Sequence, residues 1–277
     1  MTWQLRVGAV QMRSTDDLGA NLATCADLTA QAAGEGARLV VLPECFSFLG
    51  RREGDKLAIA ETLDGSGPVM TKLRELALAH HIYIVGGGTP EIVPGDAKRT
   101  FNTAVVIDPE GQLLARYRKV HLFDVDIPGG ATLRESDSTA AGSELVVVTI
   151  DGAPIGVSIC YDVRFPELYR ALVKQHGAQV LLVPAAFTAH TGAAHWHLLL
   201  RARAVEDQTW VVAAAQWGKH NDKRQSYGHT LVVDPWGTVV AERDEGDGVV
   251  VAMLDGATVE KRRTQMPCLD HAVLLPR

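Results

Sequence analysis

The chain has no surplus of basic residues: 27 lysines and arginines stand against 33 aspartates and glutamates, for a formal net charge of −6. Non-specific nucleic-acid binding needs clustered cations to neutralise phosphates, so that class is disfavoured, while a local basic pocket for a small anion stays compatible with the total. No apolar run approaches the roughly 20 residues that a membrane helix requires. The amino terminus, MTWQLRVGAVQM, lacks a basic segment followed by an apolar stretch and a cleavage site, so no secretory signal is read there. The four cysteines, Cys25, Cys45, Cys160 and Cys268, have no metal-ligand spacing and read as reduced thiols of a cytoplasmic protein. Gly86-Gly87-Gly88 has neither the Lys-Ser/Thr of a phosphate loop nor dinucleotide-binding spacing. His195 and His197 would sit about 200° apart on a helix, which disfavours joint ligation. Neither cofactor nor metal is expected.

What the chain does have is a 47% hydrophobic composition, enough for a sizeable core, in alternating strand-like and helix-like segments. Leu5–Gln11, Arg38–Leu42 and Ile82–Gly86 read as strands, the last running into a glycine turn, while Asn21–Ala33 and Val69–His80 have helical spacing. Thr103–Asp108 and Leu113–Tyr117 flank Pro109-Glu110-Gly111, a hairpin signal. The plan then recurs: Ala153–Cys160 as a strand, Pro166–His176 as a helix, Gln179–Val183 as a strand.

The recurrence extends to local sequence. RLVVLPECF (38–46) parallels QVLLVPAAF (179–187), and VVIDPEG (105–111) parallels LVVDPWG (231–237). Either hairpin chemistry coincides by chance, or the chain holds two similar α/β halves. The second alternative predicts an α/β fold with a four-layer α-β-β-α sandwich, its sheets packed face to face. The copies differ where chemistry would sit: Glu44 follows Pro43 but Ala185 follows Pro184, and Lys119 and Glu245 both lie eight residues beyond the hairpin glycine. We read residues 1–255 as one domain and 256–277 as a C-terminal arm lying on it or on a partner subunit.

Three residues invite a chemical reading. Cys160 ends an apolar strand just before a helix opened by Pro166, which makes it either a buried small hydrophobe or a nucleophile in a strand-to-helix elbow, where a helix dipole and free N–H groups favour thiolate and oxyanion. Glu44 ends a very apolar strand, so it is either an exposed loop carboxylate or a buried general base with a raised pKa. Lys119 lies among Arg116 and Arg118, where a solvated basic face is the plain alternative. His121 nearby raises a competing Cys–His mechanism.

Taken together, Leu42-Pro43-Glu44, Tyr117-Arg118-Lys119-Val120-His121-Leu122-Phe123 and Cys160-Tyr161-Asp162-Val163-Arg164-Phe165-Pro166-Glu167-Leu168 resemble the motifs of the nitrilase, or carbon–nitrogen hydrolase, superfamily in order and separation. The resemblance covers nearly the whole chain. It implies Cys160 as nucleophile, Glu44 as general base, Lys119 as the oxyanion-stabilising cation and Glu135 as the second glutamate that positions lysine and substrate. It adds the Tyr161 N–H as oxyanion donor and a homodimer or larger homo-oligomer.

Within the superfamily, His121–Gly129, Thr191–Trp196 and Leu199–Ala204 resemble the branch of deaminated glutathione amidases and ω-amidases, and Val211–Gln216 and Ser226–His229 lean toward the former. Ala193 departs from the proline common in its motif. The implied reaction splits deaminated glutathione into 2-oxoglutarate and cysteinylglycine, with ω-amidase, carbamoylase or nitrilase chemistry as alternatives and a catalytically silent binding protein as a remote one. Arg164 either grips the 2-oxo acid carboxylate or pairs with Glu167 or Asp162. Phe187 and Thr191 line the same pocket by resemblance.

Overall fold

The structure is a computed structural model that describes residues 2–126 and 132–274. Ile127, Pro128 and Gly129 of the motif above, and Pro276 of the arm, lie outside the described residues.

The first half runs β1 (Gln4–Met12), α1 (Leu18–Gly34), β2 (Leu39–Val41), α2 (Pro68–His80), β3 (Tyr83–Ile92) and the hairpin β4 (Thr100–Ile107) with β5 (Leu113–Arg118). Short strands β6 (Asp124–Asp126) and β7 (Thr132–Arg134) pair with each other, and β8 (Thr139–Ala140) lies beside β4. The second half repeats the plan: β9 (Val147–Ile150), β10 (Ala153–Val157), α3 (Pro166–Lys174), β11 (Val180–Leu182), α4 (Ala189–Asp207) and β12 (Trp210–Ala213). After β13 (Ala215–Lys219) and β14 (Gln225–Tyr227) comes its hairpin, β15 (Thr230–Val233) with β16 (Val239–Arg243). The chain closes with β17 (Gly248–Asp255), α5 (Gly256–Gln265) and α6 (Cys268–His271).

The two halves correspond strand by strand. β1, β2 and β3 are parallel and continue into antiparallel β4 and β5. β10, β11 and β12 are parallel and continue into antiparallel β15 and β16. Both repeated peptides therefore do equivalent work. Leu42 N–H bonds to Val85 O at 2.9 Å beyond β2, and Val183 N–H bonds to Val212 O at 2.9 Å beyond β11. The halves are also laced together, because β13 and β17 leave the second half and pair with β1. Among the described residues, sheets of nine and six strands result, with β6 and β7 forming a separate pair.

Side-chain alternation makes four layers from two sheets. Leu39, Val41, Val85, Ala104 and Val106 join the second sheet's Ile155, Val157, Leu181 and Val212 in one buried cluster. Their neighbours Val40, Leu42, Ile84, Val105 and Ile107 point the other way and pack with Leu22, Leu28, Met70 and Leu73 of α1 and α2. A one-residue slip in any of these strands would exchange the two faces. The sandwich inferred from repetition is the fold observed.

The glycine turn expected after Gly86 is absent, and β3 continues through it to Ile92 with a register shift between Gly86 and Thr89. Close packing explains the glycines. A Cβ on Gly87 would fall 2.1 Å from Leu42 O and 2.3 Å from the Pro184 ring. Gly87 thus lets the two Pro-x-x-Phe segments approach each other, which positions the residues described next. Gly87→Ala should destabilise the protein by about 3 kcal/mol, at the upper end for overpacking because the clash is partly with backbone, as read by urea denaturation.

The described part of the C-terminal segment makes contacts with its own chain. Val259 and Leu269 are buried, and Lys174 Nζ donates to Leu269 O at 2.7 Å. No helix among the described residues is long and apolar enough to cross a membrane.

Candidate active site

The C-terminal ends of the parallel strands from both halves converge on one cavity of about 510 Å³, which is lined by Glu44, Lys119, Glu135, Cys160, Tyr161, Arg164, Phe187 and Thr191 among others. All eight residues singled out from sequence meet there. Glu44 follows β2, Lys119 follows β5, and Glu135 opens a short 3-10 turn after β7. Cys160 opens another such turn, Cys160–Arg164, with φ of 48°. Left-handed backbone is uncommon and strained for a residue with a Cβ. Here it is held by Cys160 N–H donating to Pro184 O at 2.9 Å.

The charged groups form a chain of short contacts. Lys119 Nζ donates to Glu44 Oε1 at 2.9 Å and to Glu135 Oε2 at 2.9 Å, and Lys119 and Glu44 are 2% and 4% exposed. One ammonium therefore serves two carboxylates nearly out of water. The Ala186 N–H, from the second half, donates to Glu44 Oε2 at 2.9 Å. The Phe123 N–H holds Glu135 Oε2 at 2.7 Å. No acceptor among the described residues engages the Tyr161 N–H, which leaves it available to a ligand.

Electrostatics correct two expectations. Burial pushes the Glu44 carboxyl up, as the sequence reading held, but the Lys119 charge and the hydrogen bonds from Lys119, Cys160 and the Ala186 N–H outweigh it, and the net shift is downward. The base is therefore ionised at rest. Burial, then the Glu44 charge, push the Cys160 thiol well up, with Lys119 opposing, so the thiol keeps its proton rather than resting as thiolate. α3 begins at Pro166, six residues on, because Phe165 before the proline is forced out of helical geometry.

The rival base is accounted for structurally. His121 Nδ1 lies 2.7 Å from Asp162 Oδ1, and its ring stacks on Phe165 at 3.7 Å, away from the cavity lining. Asp162 is buried and also accepts from Tyr117 Oη at 2.7 Å and the Ile159 N–H at 2.8 Å. It is thus spent on the elbow and does not pair with Arg164. Arg164 makes no ion pair among the described residues, and its guanidinium lies 5.0 Å over Phe187. Arg118 is not part of a solvated face: half-buried over Phe101, it pairs with the buried Glu91.

Two participants escaped sequence reasoning. Asn102 Nδ2 donates to Glu44 Oε1 at 2.9 Å, and Asn102 O accepts from the Lys119 N–H at 2.9 Å. An amide beside Thr103 at the start of the otherwise apolar strand FNTAVVI was the available signal. Cys45, beside Glu44, lines the cavity with φ of 57°, its thiol pushed up to about 12 by burial and then by the Glu44 charge.

The family description "Carbon-nitrogen hydrolase" matches residues 6–264. A deaminated glutathione amidase of Synechocystis is 45% identical over 96% of this chain and 97% of its own. The nitrilase and fragile histidine triad fusion protein of Caenorhabditis elegans is 44% identical over 96% of this chain, which spans 60% of the fusion's length. The solved fusion structure superposes with a TM-score of 0.91 at 43% identity, covering 98% of this chain and 66% of that one. Nit3 of Saccharomyces cerevisiae, described as a member of branch 10 of the nitrilase superfamily, superposes at 0.86 with 34% identity over 96% and 95% of the two chains. On sequence, fold and extent of match, the chain belongs to the carbon-nitrogen hydrolase family.

Proposed function

We propose that the chain is a thiol amidase that cleaves deaminated glutathione into 2-oxoglutarate and cysteinylglycine, with Cys160 as nucleophile, Glu44 as general base and acid, Lys119 as oxyanion cation and Glu135 as the group that holds Lys119. The observation that carries this reading is the buried Lys119 ammonium shared by two carboxylates, with Cys160 lining the same cavity and both the Glu44 and Lys119 charges acting on its thiol. Glu44 takes the thiol proton as sulfur attacks the amide carbon. Negative charge growing on the carbonyl oxygen meets the Lys119 ammonium and the Tyr161 N–H, donors already oriented in a site with little water. Glu44 then protonates the departing nitrogen, and the amine leaves a thioester behind. Water adds to that thioester, gives its proton to Glu44, and the acid departs as the thiol is restored.

The substrate choice rests on charge and on the relatives. The cavity lining carries six lysines and arginines against three glutamates, in a chain whose net charge is −6. Lys119 and Arg224 are paired with glutamates, whereas Arg164 has no ion pair among the described residues. A substrate with a carboxylate on each side of the scissile bond suits that lining, and Arg164, resting on Phe187 beside Thr191, is the proposed anchor for the 2-oxo acid end. Arg164→Lys should raise KM for 2-oxo acid amides about tenfold or more while kcat changes little, because a lysine cannot form the paired hydrogen bonds. Steady-state kinetics on deaminated glutathione, 2-oxoglutaramate and a carbamoyl amino acid, read by liquid chromatography, tests both parts. Fastest turnover of another substrate removes the assignment of deaminated glutathione, and an unchanged KM removes the anchor.

The same reading includes residues 1–255 as the hydrolase domain with 256–277 as its arm, a cytoplasmic location, and a homodimer or larger assembly. Exposed Leu198 and Val205, seven apart on α4, together with Trp236 and Val240, give apolar surface in support of association, which sedimentation velocity measures.

A further inference from the structure

Outside the cavity, His197 of α4, His229 in the turn between β14 and β15, and Glu242 of β16 aim three ligand atoms at one point. His197 Nε2 and His229 Nδ1 lie 2.7 and 2.6 Å from the same oxygen, Glu242 Oε1, and the three ligand atoms fall within 4.8 Å of one another. Neighbours fix their orientation. The His229 ring stacks on Tyr227 at 4.2 Å, and His229 O accepts from Trp196 Nε1 at 2.8 Å. The two imidazole rings meet edge to face at 73°, their centroids 4.9 Å apart. All three side chains are partly exposed, which leaves one side of the cluster open to water.

Two imidazole nitrogens, a carboxylate oxygen and one open side make up the donor set that borderline divalent ions take, zinc foremost. We propose that His197, His229 and Glu242 form a zinc-binding site that staples α4 to the β14–β15 turn and to β16. Zinc bonds of about 2.0–2.1 Å need ligand atoms about 3.3 Å apart, so the present contacts widen by a fraction of an ångström on binding. A small rotation of the Glu242 side chain supplies that. The staple stands behind one wall of the cavity, because α4 opens with Ala189, His190 and Thr191 and β14 contributes Gln225 and Ser226 to the lining. Its role is to fix that wall, with water as the fourth ligand. His195 takes no part in the cluster. His195 faces Arg164 at 3.3 Å, and the partners of His197 come from other strands.

The full chain, stripped with chelator and titrated with zinc alone, tests this by calorimetry and thermal denaturation. Wild type should bind one equivalent at this cluster with a rise in Tm. His197→Ala and Glu242→Gln should each weaken that event at least about a hundredfold and remove the rise, while circular dichroism reports an unchanged fold. Cobalt substituted for zinc should give visible d–d bands without thiolate charge transfer, which separates this cluster from Cys45 and Cys160. The proposal is overturned by wild type that takes up no zinc at micromolar concentration, by variants that bind as tightly as wild type, or by cobalt spectra showing sulfur ligation.

Discussion

Cys160→Ala should be folded and effectively dead, with kcat reduced by at least about 10⁴-fold, and Glu44→Gln should approach the same loss. The two fail at different steps. Without the thiol no acyl-enzyme forms, so mass spectrometry of the alanine variant incubated with substrate should find only the unmodified mass. In Glu44→Gln the sulfur is present, but its proton has nowhere to go: the thiol is pushed well up by burial and the ionised carboxylate is gone. The amide that replaces the carboxylate must also turn one N–H toward either Lys119 Nζ or the Ala186 N–H, both of which donate to Glu44 now. Donor would face donor. The pH profile separates base loss from general damage. Because Glu44 is held below the usual glutamate range, the acid limb of wild-type kcat/KM should lie below that range. Residual activity of Glu44→Gln should lack that limb and rise only as hydroxide does the base's work. Substantial turnover by either purified variant would remove the thiol mechanism.

The fold was legible in the sequence to the extent that local chemistry repeated. Pro-x-x-Phe and Asp-Pro-x-Gly mark the same strand ends and the same hairpin in each half, and such signals survive because turn geometry constrains residue type directly. Glu44, Lys119 and Cys160 were legible as motifs, but their joint electrostatics were not. The direction of the Glu44 shift depends on an ammonium 75 positions away in the chain, and no local rule supplies its sign. Gly86-Gly87-Gly88 misled for the same reason. Glycine in a strand serves either a turn or a close approach, and here the close approach is to Pro184 in the other half. His121 was ambiguous until Asp162 was seen to hold it, and the His197–His229–Glu242 cluster draws on three separate elements.

Removing the shared ammonium should have the largest effect on stability. Lys119→Met keeps the side-chain length but leaves Glu44 and Glu135 facing each other with no cation between them, and breaking a buried pair from one side costs about 3–5 kcal/mol. The pH dependence should also reverse in sign. In wild type the Glu44 pKa is below its unfolded value, so its contribution is complete above the usual glutamate range and is lost as pH falls through the folded value. Lys119 is held well above its usual value: burial works against its charge, but Glu135 and Glu44 outweigh burial, so its contribution is complete below the usual lysine range. Between pH 5 and 8 this cluster therefore adds a nearly constant term. In Lys119→Met only the neutral hydrogen-bond donors oppose the burial of Glu44, which is the largest influence on it, so its pKa rises above the unfolded value and stability falls as pH climbs through that interval. Urea midpoints at pH 5 and pH 8 read this directly: a small difference attributable to the cluster in wild type, a lower midpoint at pH 8 in the variant. Adding Glu135→Gln to Lys119→Met should recover part of the stability, since one buried charge is removed, yet recover no turnover, since the oxyanion still lacks its cation. A Lys119→Met protein as stable as wild type at both pH values would mean that the three charged groups do not share a dry site, and the proposed division of labour among them would go with it.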